Sequence, residues 1–202
     1  MIAVVDYGMG NIGSVCNALS YTGAGHIVTE DPQIIADADG IILPGVGAFG
    51  DAMANIIGRG LQSTIKDFID SGRPFLGICL GYQLLFESSE ESPGVSGLGV
   101  LEGAVRRFPA DMGLKVPHMG WNTISSGTKT RVLRQSDGRY VYFVHSYYTE
   151  PRGLDEYCTE TTYGIKFASA IEYENILACQ FHPEKSGDDG LGILKKWTEA
   201  VL

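Results

Sequence analysis

Between Pro74 and Glu87 the chain reads Pro-Phe-Leu-Gly-Ile-Cys-Leu-Gly-Tyr-Gln-Leu-Leu-Phe-Glu, and no other stretch constrains the fold as strongly. Its apolar opening reads as a buried strand, and Leu84, Leu85 and Phe86 near its end read as a helix free of breakers. Between them, Gly77-Ile78-Cys79-Leu80-Gly81 sets G-x-C-x-G where hydrolases carry G-x-S-x-G, a sharp strand-to-helix turn with a nucleophile at its tip. Glycine on both sides suits a turn with no room for flanking β-carbons. Cys79 would then sit at a helix N-terminus, which favours thiolate over thiol. The Leu80 N–H would point beside the sulfur, where an oxyanion develops. Taken alone, the motif fits equally well a small buried cysteine in an ordinary strand-turn-helix. A nucleophile needs a base.

The segments before the turn set its context. Residues 2–5 are a β-branched run, expected as a buried parallel strand. Gly8, Gly10 and Gly13 then spell G-x-G-x-x-G before a helix marked by Ile12, Cys16 and Leu19, with Glu30 and Asp31 about 20 residues on, as in a dinucleotide-binding turn. In a chain with 27 glycines that short motif also arises by chance, and the alternative is a tight turn N-capped by Asn11. Residues 40–43 form the next strand and lead into Pro44-Gly45-Val46-Gly47, where two glycines around one valine let a peptide plane turn and aim an N–H into a cleft. Phe49, Ala52, Met53, Ile56 and Ile57 mark one amphipathic helix, and Leu61, Ile65, Phe68 and Ile69 a second.

The order β-α-β-α-α-β-α up to Glu87 predicts an α/β fold: an open, mostly parallel doubly wound sheet with flanking helices. Ligands bind such sheets at the carboxyl ends of the strands, where the 44–47 loop and Cys79 would share a cleft. Residues 88–99 read as a polar surface loop. Beyond them the pattern turns to short strands within 100–108, 140–144, 164–171 and 176–181, an additional antiparallel portion. Residues 115–122 read as irregular, with His118 and Trp121 structural on pattern alone. No repeat or linker interrupts the chain, so one domain over residues 1–202 is expected.

Charge and cysteine usage exclude several functions. Lys and Arg number 15 against 24 Asp and Glu, a net charge of −9, which argues against a nucleic-acid surface. Cys16, Cys79, Cys158 and Cys179 form no C-x-x-C pair, a poor framework for zinc or disulfides. No apolar run approaches a membrane span or a signal peptide. No metal or cofactor is expected, and the cytoplasm is the expected compartment.

The base comes from the last strand. After Gln180 and Phe181 come His182-Pro183-Glu184-Lys185, and residues two apart in extended chain point to one side, so Glu184 can orient and charge-balance His182. An isolated His-Pro-Glu is more often an ordinary loop; paired with a nucleophile turn it reads as base and orienter. Gly77-Ile78-Cys79-Leu80-Gly81-Tyr82-Gln83 with His182-Pro183-Glu184 resembles the class I glutamine amidotransferases. Asp6 to Asn11, Pro44 to Gly47, Pro117 to Asn122 and Lys185 are similar to the branch whose glutaminase subunit passes ammonia to a (β/α)8-barrel cyclase in histidine biosynthesis. Tyr82 departs from the methionine or histidine more usual there, a change expected to affect packing only.

The resemblance implies that Cys79 attacks the carboxamide of L-glutamine while His182 transfers protons and Glu184 holds it. It implies an oxyanion hole from Leu80 and the loop at Val46 and Gly47, glutamine contacts from Gln83, Ser146 and Tyr147, and a partner interface at Asn11, Trp121 and Lys185. Two other readings stand beside it. One is a glutaminase of another amidotransferase, or a thiol hydrolase on the same fold. The other is a non-catalytic nucleotide-binding module using Gly8, Gly10 and Gly13.

Overall fold

The computed structural model describes residues 1–201. The chain begins with β1 (Ile2–Val5), α1 (Ile12–Thr22), β2 (His26–Thr29), α2 (Pro32–Asp37), β3 (Gly40–Leu43), α3 (Phe49–Gly58), α4 (Leu61–Asp70) and β4 (Phe75–Ile78). One helical turn, α5 (Leu80–Gln83), follows Cys79, and then come β5 (Ser88–Ser89) and β6 (Gly103–Arg107). The remainder holds β7 (His118–Thr123), β8 (Ser125–Ser126), β9 (Tyr140–His145), β10 (Tyr147–Pro151), β11 (Cys158–Tyr163), β12 (Ile165–Tyr173), β13 (Ile176–Cys179) and α6 (Gly187–Val201).

The main sheet runs β2-β1-β3-β4-β13-β12-β10-β6-β5. Its first five strands are parallel, and β12, β10 and β6 continue it antiparallel. This is the expected doubly wound α/β sheet with an antiparallel portion. β7 and β9 form a separate antiparallel ribbon. In β1 the side chains alternate between two buried faces, as pleating requires. Ala3 and Val5 join a core with Phe49, Met53, Ile65 and Phe68 from α3 and α4. Ile2 and Val4 join one with Val15, Leu19, Ile193 and Trp197 from α1 and α6. Because both faces are covered, the parallel strands are continuously apolar rather than alternating. Each such large side chain contributes about 1.5–3 kcal/mol by leaving water.

The structure departs from the sequence-based expectation at several elements. β2 and α2 were absent from the expected order; β2 is an edge strand with Ile27 and Val28 exposed, and α2 spans 6 residues, so neither carries a long apolar pattern. The helix expected through Leu84–Phe86 ends after α5. There the carbonyls of Leu84, Leu85 and Phe86 accept N–H groups from Leu98, Val100, Leu101 and Gly99 instead of continuing a helix. Gly97 permits that approach, since a Cβ there would overlap the Phe86 carbonyl oxygen. The stretch expected to be irregular around residue 118 is β7, its register fixed by pairing with β9. β10, β11 and α6 are further elements beyond those expected. Among the described residues, no helix is long and apolar enough to cross a membrane.

β3 and α5 touch at Gly81, where an added Cβ would overlap the Leu43 carbonyl oxygen. Gly81→Ala therefore forces the two backbones apart. It is expected to cost about 1–3 kcal/mol, as overpacking does, read from urea unfolding. A variant within about 0.5 kcal/mol of the parent contradicts the packing described here.

Candidate active site

Cys79 occupies the tip of the turn between β4 and α5 with φ 55° and ψ −107°, a conformation rare for any residue but glycine. Its own N–H donates to the Cys179 carbonyl at 2.7 Å, which ties the strained residue to β13. The flanking glycines are sterically required. A Cβ on Gly77 would come within 3.0 Å of the Gly81 carbonyl oxygen. The turn places Cys79 at the foot of a cavity of about 390 Å³.

The cavity brings together nearly every residue expected of the site. Val46 and Gly47 line it from the loop after β3, Leu80 and Gln83 from α5, Ser146 and Tyr147 from the β9–β10 junction, and His182 from the end of β13. Glu184 stands behind His182, its carboxylate buried, with Oε1 2.8 Å from His182 Nδ1. His182 is extended as expected, but residues 183–185 form a 3₁₀ turn, so the pairing arises from that turn and not from strand alternation. Asn11, Trp121 and Lys185 lie outside the cavity. Asn11 N-caps α1 through Ser14 N–H, and α1 packs against the 183–185 turn that carries Lys185. The exposed Trp121 packs edge-on to Tyr142, whose N–H donates to Ser186.

His182 Nε2 has no hydrogen-bond partner among the described residues and shares the cavity with Cys79. Burial by itself would lower its pKa. The nearby Cys79 sulfur and the bonded Glu184 carboxylate outweigh burial and push the imidazole up to about 10. The arrangement sets a cysteine sulfur and an imidazolium in one cavity, where the imidazolium can exchange a proton with a third molecule. His118 and His145, also buried, behave oppositely. Burial lowers His118 to about 4 and, with the neighbouring histidines, His145 to about 3. His145 Nδ1 donates to the Tyr147 carbonyl at 2.7 Å, so its Nε2 accepts from His118 Nδ1 at 2.9 Å. His118 is stacked on Phe143 and Tyr163, structural as expected from pattern, whereas Trp121 is exposed.

Two residues escaped the sequence reading. Gln180 is fully buried in the β13 extension; its Nε2 donates to Cys79 Sγ at 3.6 Å and its Oε1 accepts Gln83 Nε2 at 2.8 Å. A lone amide inside the apolar run 176–181 was the available signal. Among the described residues, Glu91 is the one carboxylate lining the cavity, and it also accepts the Phe49 N–H at the start of α3. Nothing in the polar stretch 88–99 distinguished it. The Leu80 N–H is engaged: it donates to the Gly45 carbonyl at 3.4 Å.

The glycine-rich loop after β1 serves as the tight turn. Gly10 lies against Pro44, Met9 against Gly47, and Asn11 caps α1, so this loop backs the 44–47 loop. Tyr82 is buried and packs edge-on to Phe86.

The pattern of glutamine amidotransferase class-I proteins matches residues 3–198. The chain belongs to that family. A class I relative, the imidazole glycerol phosphate synthase subunit HisH of Methanothermobacter thermautotrophicus, is 50% identical over 201 residues, covering 100% of this chain and 99% of the relative. The HisH subunit of Bacillus subtilis is 45% identical, covering 98% and 96%. Among solved structures, a crystal structure of a glutamine amidotransferase superposes with a TM-score of 0.74 at 17% identity, covering 99% and 98%. The structure of PurLQS from Thermotoga maritima gives 0.70 at 19%, covering 99% and 96%. At those identities the structures bear on the class I fold alone.

The His182 environment predicts a pH effect. Its pKa lies above the ordinary value of about 6.5, so the fold favours the imidazolium. That stabilisation is complete below about pH 6.5 and is lost as pH rises through about 10. Glu184→Gln removes a carboxylate that raises the pKa, so the His182 titration midpoint, followed by NMR, moves down. The stability difference between parent and variant is larger at about pH 6 than at about pH 10. An unmoved midpoint contradicts the assigned cause.

Proposed function

We infer that this chain is the glutaminase subunit of an imidazole glycerol phosphate synthase. The observation that carries the reading is Cys79 and His182 in one cavity, with Glu184 behind the histidine, in a chain 50% identical to HisH along its whole length. Residues 1–202 act as one glutamine amidotransferase domain, a reading supported by a single sheet that joins both halves.

L-Glutamine enters with its carboxamide over Cys79. The thiolate attacks the carboxamide carbon, a C–S bond forms, and the carbonyl oxygen becomes an oxyanion. Leu80 N–H and an N–H of the loop at Val46 and Gly47 hold that oxyanion. His182 gives its proton to the departing nitrogen, the C–N bond breaks, and ammonia leaves a thioester. His182, now neutral, takes a proton from water, which attacks the thioester and releases glutamate and the thiolate. Glu184 fixes the imidazole tautomer and balances its charge. Gln180, held by Gln83, donates to the sulfur. Gln83, Ser146 and Tyr147 position the substrate, and Glu91 is suited to its ammonium group.

The ammonia passes to a cyclase subunit, in this reading a (β/α)8 barrel that docks at Asn11, Trp121 and Lys185. No metal or cofactor takes part in this sequence of steps. A cytoplasmic location suits an enzyme whose thiolate must stay reduced.

With its Leu80 N–H engaged by Gly45, the isolated chain lacks a complete oxyanion hole. Glutamate release from glutamine is therefore slow for the chain alone. It rises about 100-fold or more with a liganded histidine-pathway cyclase, the range associated with one oxyanion donor. Full activity without the partner removes the switching idea, and activity indifferent to it moves the enzyme to another synthase. Cys79→Ala abolishes release in the complex while circular dichroism and thermal midpoint stay close to the parent's. Glutamate release at the parent rate rules out Cys79 as nucleophile.

A further inference from the structure

The sheet order reverses between β1 and β3, so the loops that leave these adjacent strands face each other at their carboxyl ends. Tyr7 belongs to the first loop and Gly45 to the second. Tyr7 is fully buried, and its hydroxyl has no hydrogen-bond partner among the described residues. Leaving such a group unpaired costs about 1–3 kcal/mol. It lies directly against Gly45: a Cβ added there would overlap the hydroxyl oxygen and stand 2.8 Å from Leu80 Cβ.

Gly45 is the residue whose carbonyl occupies the Leu80 N–H. For Leu80 to hold an oxyanion, that carbonyl has to leave, and the Gly45–Val46 peptide has to turn. Glycine at 45 allows the turn, and the Val46 side chain, half-exposed, moves without disturbing the core. Turning aims the Val46 N–H into the cavity and swings the Gly45 carbonyl away from it. There the carbonyl becomes a buried acceptor in need of a donor.

We propose that Tyr7 is a positioning residue whose hydroxyl receives the Gly45 carbonyl when this peptide turns, and so holds the oxyanion donors in place. The proposal rests on the glutaminase reading above. In the resting state Gly45 is paired and Tyr7 is not; in the turned state both are paired and Leu80 N–H is free for substrate. Burial, and to a lesser extent the charge of Cys79, hold the phenol above its usual range, which keeps it a neutral donor. Phenylalanine fills the same space without the proton.

The test is Tyr7→Phe in the full chain bound to its cyclase. Glutamate release should show kcat lowered about tenfold, equivalent to about 1.4 kcal/mol, with KM for glutamine and the thermal midpoint unchanged or the midpoint raised. The glutamine-derived aldehyde, which forms a tetrahedral adduct on Cys79, should bind about tenfold more weakly, whereas alkylation of Cys79 by iodoacetamide keeps its parent rate. Unchanged kcat and aldehyde affinity in the variant, beside a responsive parent, overturn this role alone. So does a kcat loss accompanied by a lowered midpoint and slowed alkylation, which marks a purely structural residue. A parent complex that releases no glutamate overturns the glutaminase reading and this one together.

Discussion

Backbone meets backbone at the site more closely than side chains would allow, and the geometry of the cavity follows from that closeness. Gly81 lies against the Leu43 carbonyl, Gly77 against the Gly81 carbonyl, and Gly45 against Leu80. With these approaches fixed, Cys79 has no choice but the positive-φ conformation it adopts, strain of about 1–3 kcal/mol held by the surrounding strands. The strain lifts the sulfur off the sheet and into the cavity. It also puts the Leu80 N–H beside the 44–47 loop, so Cys79 and that loop are set by one packing event.

The electrostatics follow from what each buried group can bond. His182, His118 and His145 are all buried, yet only His182 is driven toward its charged form. The difference lies in partners: a carboxylate and a sulfur for His182, against another imidazole and a backbone carbonyl for His145. In a low-dielectric interior an ionic partner outweighs desolvation, and a neutral one does not. Thus the histidine proposed to transfer protons is the one bonded to a carboxylate, while the other two serve as hydrogen-bond links between β7 and β9.

Much of this was legible in the chain. The parallel strands could be read because burial on both faces makes them continuously apolar. The proposed nucleophile and base were marked by local motifs, whose residue types that chemistry demands and whose glycines the turn demands. β2 was not legible, being an exposed edge strand, nor was the early end of α5, which depends on residues 98–101 taking the carbonyls of 84–86. β7 exists because β9 lies beside it. Gln180 looked like an interruption in an apolar strand until its contacts with Gln83 and Cys79 gave it a place.

The sequence by itself determined the fold class and marked Cys79, His182 and Glu184 as the proposed nucleophile, base and orienter, because those follow from short-range patterns: apolar period, glycine spacing and a His-Pro-Glu turn. Tertiary structure alone decided what those residues meet. That Gly45 closes the Leu80 N–H, that the Tyr7 hydroxyl lies against Gly45 with no partner among the described residues, and that Glu91 reaches the cavity are consequences of strands β1, β3 and β4 being neighbours and of a loop folding over them. Side-chain and backbone partners brought together across dozens of residues leave no periodic trace in a chain, because each depends on the packing of all the elements between.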